Sequence, residues 1–212
     1  MKAKETAVKM ELVIATRNPG KLREIEAILT IFPLKLLSLK DFPELPEIVE
    51  DGNTFAENAI KKAGAVARLT GRPAIGDDSG LIVNALNGRP GVFSSRYAGE
   101  NATDQDRCQK LLGEMAGVPD GQRQAAFVCT MVVSSPAGKM RIAEGECRGW
   151  ITFAPRGKHG FGYDPIFFVP EFGKTMAEIE PQVKNQISHR ARALEKLKLL
   201  LPQFLGLKME PS

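Results

Sequence analysis

Apolar positions along the chain recur with two periods. Glu11 to Ala15, rich in Leu, Val and Ile, predicts a buried strand. Leu22, Ile25, Ile28 and Leu29 then return at helical spacing after the polar stretch Thr16-Arg17-Asn18-Pro19-Gly20-Lys21. Asn18 suits an N-cap and Pro19 the first helical position, so a helix is predicted to run to about Thr30. A second strand is expected near Leu36. Thr54 and Glu57 form a capping-box pattern ahead of a helix carrying Ala56, Ala59, Ile60, Ala63, Val66 and Ala67 and ending before Gly71. Its small residues imply close packing against a neighbour. Ala74-Ile75-Gly76 and Leu81 to Leu86 read as strands flanking Asp77-Asp78-Ser79-Gly80, and Asn87 to Gly99 is rich in Gly, Pro and Ser. Thr103 caps a third helix with Leu111, Leu112 and Met115 inward. Ala125 to Ser135 and Lys139 to Cys147 form a hairpin about Ser135-Pro136-Ala137-Gly138, extended by Arg148 to Ala154. Arg156 to Tyr163 is loop-like. A last helix runs from about Ile187 to Leu201, with Ala191, Leu194 and Leu197 inward.

This order of elements predicts an α/β fold with a mixed sheet and flanking helices, in two lobes of one domain spanning residues 1–212. The 212 residues are 43% hydrophobic and 25% charged, which excludes wholesale disorder. No apolar run is long enough to span a bilayer, and Met1 to Met10 is charged without an apolar stretch, so a cytoplasmic protein without a membrane partner is expected. Cys108, Cys129 and Cys147 are too few and too scattered for a disulfide framework or a structural zinc site. The net charge of +4 favours anionic partners, yet no Lys/Arg block with interleaved aromatics marks a nucleic-acid surface.

Four segments carry candidate chemistry beside the Asp77-Asp78 pair. That pair reads first as a polar turn between strands; the same residues also suit a divalent metal or an activated water. Thr16 to Lys21 places a helix N-terminus and a lysine where phosphate could bind, or is an ordinary capped helix. Glu47 to Asp51 is an acidic run before Gly52, either a solvated loop or a source of a metal ligand. Lys158 to Pro165 sets Phe161 and Tyr163 among glycines, for stacking on a base or for anchoring the loop to the core. Ser188-His189-Arg190, with Lys184 upstream, gathers cations near a helix start, where they oppose the helix dipole unless an anion is bound.

Six segments together resemble the inosine triphosphate pyrophosphatase family. They are Thr16 to Lys21, Gly52-Asn53-Thr54-Phe55-Ala56-Glu57-Asn58-Ala59, Asp77 to Gly80, Gly91-Val92-Phe93-Ser94-Ser95-Arg96-Tyr97, Phe161-Gly162-Tyr163-Asp164-Pro165-Ile166-Phe167 and Ser188 to Arg190. They stand in the family's order between about Leu12 and Leu200. The resemblance implies magnesium-dependent hydrolysis of ITP, dITP and XTP to the monophosphate and pyrophosphate, removing deaminated purine nucleotides before polymerases use them. It also implies an elongated, usually homodimeric fold with a nucleotide cleft between its lobes. By position, Thr16, Arg17, Asn18, Pro19, Gly20 and Lys21 would hold the triphosphate. Asp78 would be the catalytic base beside the metal, with Asp77 in support, and Ser79 would contact substrate. Phe161, Gly162, Tyr163 and Asp164 would line the base pocket, and Lys184, His189 and Arg190 would complete recognition. The family's metal-associated glutamate falls on Val49, so the role passes to Glu50.

Two other classes fit parts of the chain. A phosphomonoesterase with an aspartyl nucleophile would release orthophosphate, but Thr16-Arg17-Asn18 stands where its Asp-x-Asp is expected. A nucleotide- or nucleic-acid-binding module without turnover leaves Asp77 and Asp78 unexplained, since both repel phosphate.

Overall fold

A computed structural model describes residues 10–207; the charged start at residues 1–9 and the end at 208–212 lie outside it. Strand β1 (Met10–Ile14) leads through Asn18 into helix α1 (Pro19–Leu29). The Asn18 side chain accepts from the Gly20 and Lys21 amides at 2.8 and 3.1 Å, satisfying two of the four donors that a helix start leaves open. Strand β2 (Leu34–Ser38) lies parallel to β1. Helix α2 (Phe55–Thr70) opens on Thr54, which accepts from the Glu57 amide, and closes on Gly71 in the left-handed conformation. Glu57 caps the Asn53 amide rather than that of Thr54, one residue off the expected box.

Strand β3 (Ala74–Val83) follows, and here the structure corrects the sequence reading. Asp77 to Gly80 form no turn. They lie in mid-strand, and each residue from Ala74 to Val83 pairs antiparallel with strand β4 (Gln124–Ser134). A pleated strand sends successive side chains to opposite faces. Ile75 and Leu81 enter cores on one face, whereas Gly76 meets α2 on the other, where an added Cβ would sit 2.6 Å from the Ala59 carbonyl oxygen. Asp77 and Asp78 therefore point away from each other.

Helix α3 (Asp104–Glu114) is capped by Thr103 and Asp106. Strand β5 (Met140–Ile151) completes the hairpin with β4. The short strands β6 (Phe167–Val169) and β7 (Lys174–Thr175) were not legible in the apolar pattern, nor was the turn of helix α4 (Pro181–Ile187) before α5 (His189–Leu205). Among the described residues the sheet has seven strands in the order β2-β1-β3-β4-β5-β6-β7, parallel across β2-β1-β3 and antiparallel beyond. Among the described residues no helix is long and apolar enough to cross a membrane.

Two apolar cores occupy one face of the sheet. The first gathers Leu12, Ile14, Ile25, Ile75, Met131, Leu194 and Leu197 around α1 and α5, and the second Leu81, Leu111, Phe127, Ile151 and Ile166 around α3. Along β3 they change over between Ile75 and Leu81, at the segment holding both aspartates. The edge of β3 changes there too. Strand β1 pairs with β3 only at Val13–Ala74 and Ile14–Ile75, then ends. From Asp77 to Leu81 the β1-side edge of β3 has no backbone partner among the described residues, at the carboxyl end of β1, where open α/β sheets bind ligands; at Val83 that edge is taken up again by Gly88 and Arg89.

Candidate active site

Side chains rather than a neighbouring strand satisfy the free edge of β3. Lys62 of α2 donates to the Asp77 carbonyl at 2.9 Å, Asp78 Oδ1 accepts from the Ser79 amide at 3.0 Å, and Ser94 Oγ accepts from the Leu81 amide at 2.9 Å. A cavity of about 690 Å³ opens against this edge. Its wall includes Thr16, Arg17, Asn18, Lys21, Glu50, Asp78, Ser79, Phe161, Gly162, Tyr163, Asp164, Lys184, His189 and Arg190. Segments far apart in sequence thus converge on one space. Pro19 and Gly20 do not reach the wall: Gly20 is buried beneath Phe161, whose ring an added Cβ would meet at 2.6 Å. Asn18 lines the cavity, but its carboxamide oxygen is engaged in capping α1.

The two aspartates differ sharply. Asp77 is buried on the α1/α5 face, ion-paired to Lys21 and to Arg190 Nε at 3.2 Å, with Cys129 Sγ donating at 3.0 Å. Burial would raise its pKa, but the Arg190 and Lys21 charges outweigh burial and hold it well below the carboxylate range. Asp78, on the opposite face, accepts from Asn58 Nδ2 at 3.0 Å and has no ion pair among the described residues. Its pKa is raised, by burial first and also by the nearby Glu50 charge, against the pull of Lys21 and Lys62. Asn58 in turn accepts from the Gly52 amide at 2.8 Å, tying the segment after Glu50 to Asp78. Glu50 pairs with Lys62 at 2.8 Å, while Val49 is exposed on the rim.

A residue absent from the sequence reading lies beneath the wall and pairs with two of its cations. Glu24 of α1 is buried and pairs with Lys184 at 2.9 Å and with Arg190. Asp164, Lys184, Glu24, Arg190, Asp77 and Lys21 form an alternating series of charges that runs from the Phe161 loop to the start of α1. Burial would strip Lys184 of its proton, but Asp164 and Glu24 raise its pKa and keep it charged. Arg190 also donates to Ser79 Oγ at 2.8 Å. The signal for Glu24 was present: it falls on the buried stripe of Gly20, Ile25 and Leu29. Asn58 and Lys62 sit likewise on the buried stripe of α2.

The aromatic loop divides its labour. Lys184 Nζ lies 4.6 Å from the Phe161 ring centroid and Arg190 Cζ 5.7 Å, so cations hold that ring at the cavity wall. Tyr163 is buried and donates to the Ser94 carbonyl at 2.9 Å, an anchor rather than a stacking platform. Asp164 is also buried, its Oδ2 accepting from the Phe161 amide at 2.9 Å and pairing with Lys184. Gly162 donates its amide to Asp104 at 2.7 Å. His189 stacks on Phe127 with centroids 4.8 Å apart, and its Nδ1 is the one buried side-chain polar atom without a partner among the described residues. Burial first, then Arg190 and Lys184, lower its pKa well below the ordinary value and keep it neutral.

Among the described residues no three His, Cys, Asp or Glu side chains form a cluster suited to a metal. Asp78 and Glu50 nevertheless bring two hard carboxylates to the cavity, and an ammonium, Lys62, already sits between Glu50 and the free β3 edge. Magnesium is commonly held by one or two carboxylates together with substrate phosphates and waters, and this donor set meets that requirement.

Comparison with known proteins agrees with the constellation. The dITP/XTP pyrophosphatase of Geobacter sulfurreducens is 58% identical over 187 residues, 88% of this chain and 94% of that protein. The dITP/XTP pyrophosphatase of Geobacillus kaustophilus is 53% identical over 92% of this chain and 96% of its own length. The structure of a HAM1 protein from Coxiella burnetii superposes with a TM-score of 0.84 at 47% identity, covering 92% of this chain and 99% of that one. The Staphylococcus aureus Ham1 protein gives 0.82 at 40%, with the same coverage. The Ham1 family profile matches residues 12–200, and this chain belongs to the Ham1 family.

Proposed function

We propose that the chain hydrolyses deaminated purine nucleoside triphosphates (ITP, dITP and XTP) to the monophosphate and pyrophosphate, clearing them from the nucleotide pool. The observation that carries this reading is Asp78: a buried carboxylate without an ion-pair partner among the described residues, at a free strand edge, facing a cavity walled by phosphate- and base-suited groups. A site for phosphate that keeps an unpaired acid at its centre is built for chemistry rather than for binding alone.

In this reading Asp78 takes the proton of the attacking water, a step that contributes about 10²–10⁴-fold in such sites. Its raised pKa matches the carboxylate to that task. Asn58 and the Ser79 amide fix its orientation. Asp78 and Glu50 would hold magnesium, which when bound neutralises phosphate charge and acts as a Lewis acid. Thr16, Arg17 and Lys21 receive the phosphates, with Ser79 oriented by Arg190 beside them. Asn18, Pro19 and Gly20 act through the capped helix start. Phe161 presents a ring to the base, while Gly162, Tyr163 and Asp164 set the loop's shape. Neutral His189, with Lys184 and Arg190, recognises the base edge: hypoxanthine and xanthine carry a carbonyl where adenine carries an amine, and a site built around that difference discriminates by about 10⁴-fold. The two apolar cores fit two lobes of one domain with the cavity between them. The same resemblance carries the expectation of a homodimer, which light scattering on the purified chain decides; the cytoplasmic location stays the expectation drawn from the apolar pattern.

The test is pyrophosphate release across a panel of nucleoside triphosphates, with and without magnesium. Pyrophosphate from ITP, dITP and XTP far in excess of that from ATP and GTP is expected. Orthophosphate as the product, or equal rates for ITP and ATP, contradicts the reading.

A further inference from the structure

The cations around the cavity separate into two groups. Lys21 pairs with Asp77, Lys62 with Glu50, Arg107 with Asp104, and Lys184 and Arg190 with Glu24. Each of these charges is already balanced by protein, so its net attraction for a polyanion is reduced. Arg17 and Arg96 also line the cavity, and among the described residues neither has a carboxylate within ion-pair distance. Arg17 is exposed and belongs to the segment already given to phosphate.

Arg96 is different. It ends the 3-10 turn Gly91–Arg96, is half-buried, and comes from a different wall. Its guanidinium stacks over the Phe93 ring with Cζ 5.0 Å from the centroid, and Nη2 makes one long hydrogen bond, 3.4 Å, to the Glu50 carbonyl. Most of the five guanidinium donors therefore have no acceptor among the described residues. A ring face and a carbonyl hold the side chain in place without neutralising it. That is an economical arrangement for a phosphate receptor, because the side chain is ordered before the ligand arrives. A planar fork also matches phosphate oxygens bidentately, which an ammonium does not.

We propose that Arg96 is a further substrate-binding residue, contacting the pyrophosphate portion of the triphosphate from the wall that carries Glu50. This rests on the pyrophosphatase reading and extends it. Cleavage between the α- and β-phosphorus leaves that portion as the departing group, so a guanidinium there also stabilises the charge that grows on it. The monophosphate product lacks that portion and does not engage Arg96.

The alternative is structural: Arg96 serves only to tether the Glu50 segment through its carbonyl. Arg96→Ala and Arg96→Lys separate the two. For each variant and the wild type, kcat/KM for ITP, inhibition by inorganic pyrophosphate, inhibition by inosine monophosphate, and the thermal midpoint are measured. Arg96→Ala is expected to lose about 10²-fold in kcat/KM, the order seen when one charge-stabilising donor is removed. It should bind pyrophosphate about tenfold more weakly and inosine monophosphate as the wild type does, with an unchanged midpoint. Arg96→Lys, which keeps the charge but not the fork, should recover part of the loss. An Arg96→Ala enzyme that matches the wild type overturns the proposal. So does parallel loss of pyrophosphate and monophosphate binding with a lowered midpoint, which marks the tether. A wild type that releases no pyrophosphate from any triphosphate fails the functional reading itself, and pyrophosphate affinity measured by calorimetry on the same variants still decides Arg96.

Discussion

Asp77 and Asp78 are adjacent in sequence and opposite in circumstance, and their amide variants should diverge. Asp77→Asn leaves Lys21 and Arg190 with a buried charge deficit, and breaking a buried pair costs about 3–5 kcal/mol. Chemical denaturation should show that loss directly. Asp78 has a raised pKa, so its charge is a burden on the fold rather than a support. Asp78→Asn should keep or raise the midpoint while turnover falls by about 10²–10⁴-fold. A stable, active Asp78→Asn or an undiminished Asp77→Asn contradicts the division. The sequence alone placed both acids in a turn because Asp77-Asp78-Ser79-Gly80 carries the composition of one. What overrides that composition is tertiary: full pairing with β4, and two cations brought from α1 and α5 to cover Asp77. His189 adds a pH signature. Its folded-state pKa is depressed below 6.5, so below that value the unfolded chain binds a proton that the folded chain does not. Stability contributed by the neutral imidazole is present above pH 6.5 and is lost on acidification, with a slope of up to about 1.4 kcal/mol per pH unit. His189→Gln should flatten the stability profile over that window, and an unchanged slope rejects a buried neutral histidine.

Elements place these residues, and the packing of α5 against β5 is the tightest joint. An added Cβ at Gly145 would lie 2.1 Å from the His189 carbonyl oxygen and 2.4 Å from the Ala193 amide nitrogen. Both are backbone atoms, so α5 must shift, and overpacking of this kind typically costs about 1–3 kcal/mol. Because the first turn of α5 carries His189 and Arg190, Gly145→Ala should lower kcat/KM as well as the thermal midpoint, although residue 145 does not line the cavity. A variant with reduced stability and full activity would show that α5 yields elsewhere than at its first turn. Elements with strong periodicity or caps, α1, α2, α3 and the β4–β5 hairpin, were legible in the sequence. Strands β6 and β7 were not, being three and two residues long and held by pairing rather than pattern. Glu24, Asn58 and Lys62 went unread for a related reason. A polar residue on a buried helical stripe looks like an interruption until its partners, which come from other elements, are known.

Across the whole molecule, the two apolar cores share their strands. Ile75 and Leu81 stand on one continuous β3, and Met131 and Phe127 on one continuous β4, so neither core can dissolve without unpairing a strand of the other. The charge series from Asp164 to Lys21 crosses between them on the same face. Chains above roughly 150 residues often unfold in stages, yet this connectivity predicts a single transition for residues 10–207. Ile25→Ala in the first core and Leu81→Ala in the second each remove a fully buried aliphatic side chain, for a cost of about 2–5 kcal/mol. Each should move the whole transition, with calorimetric and van't Hoff enthalpies equal and with far-ultraviolet and near-ultraviolet dichroism coincident. A variant in which one core melts ahead of the other would show that the two cores are energetically separable. Ligand should then merge the two transitions again by binding only the state in which both cores are formed.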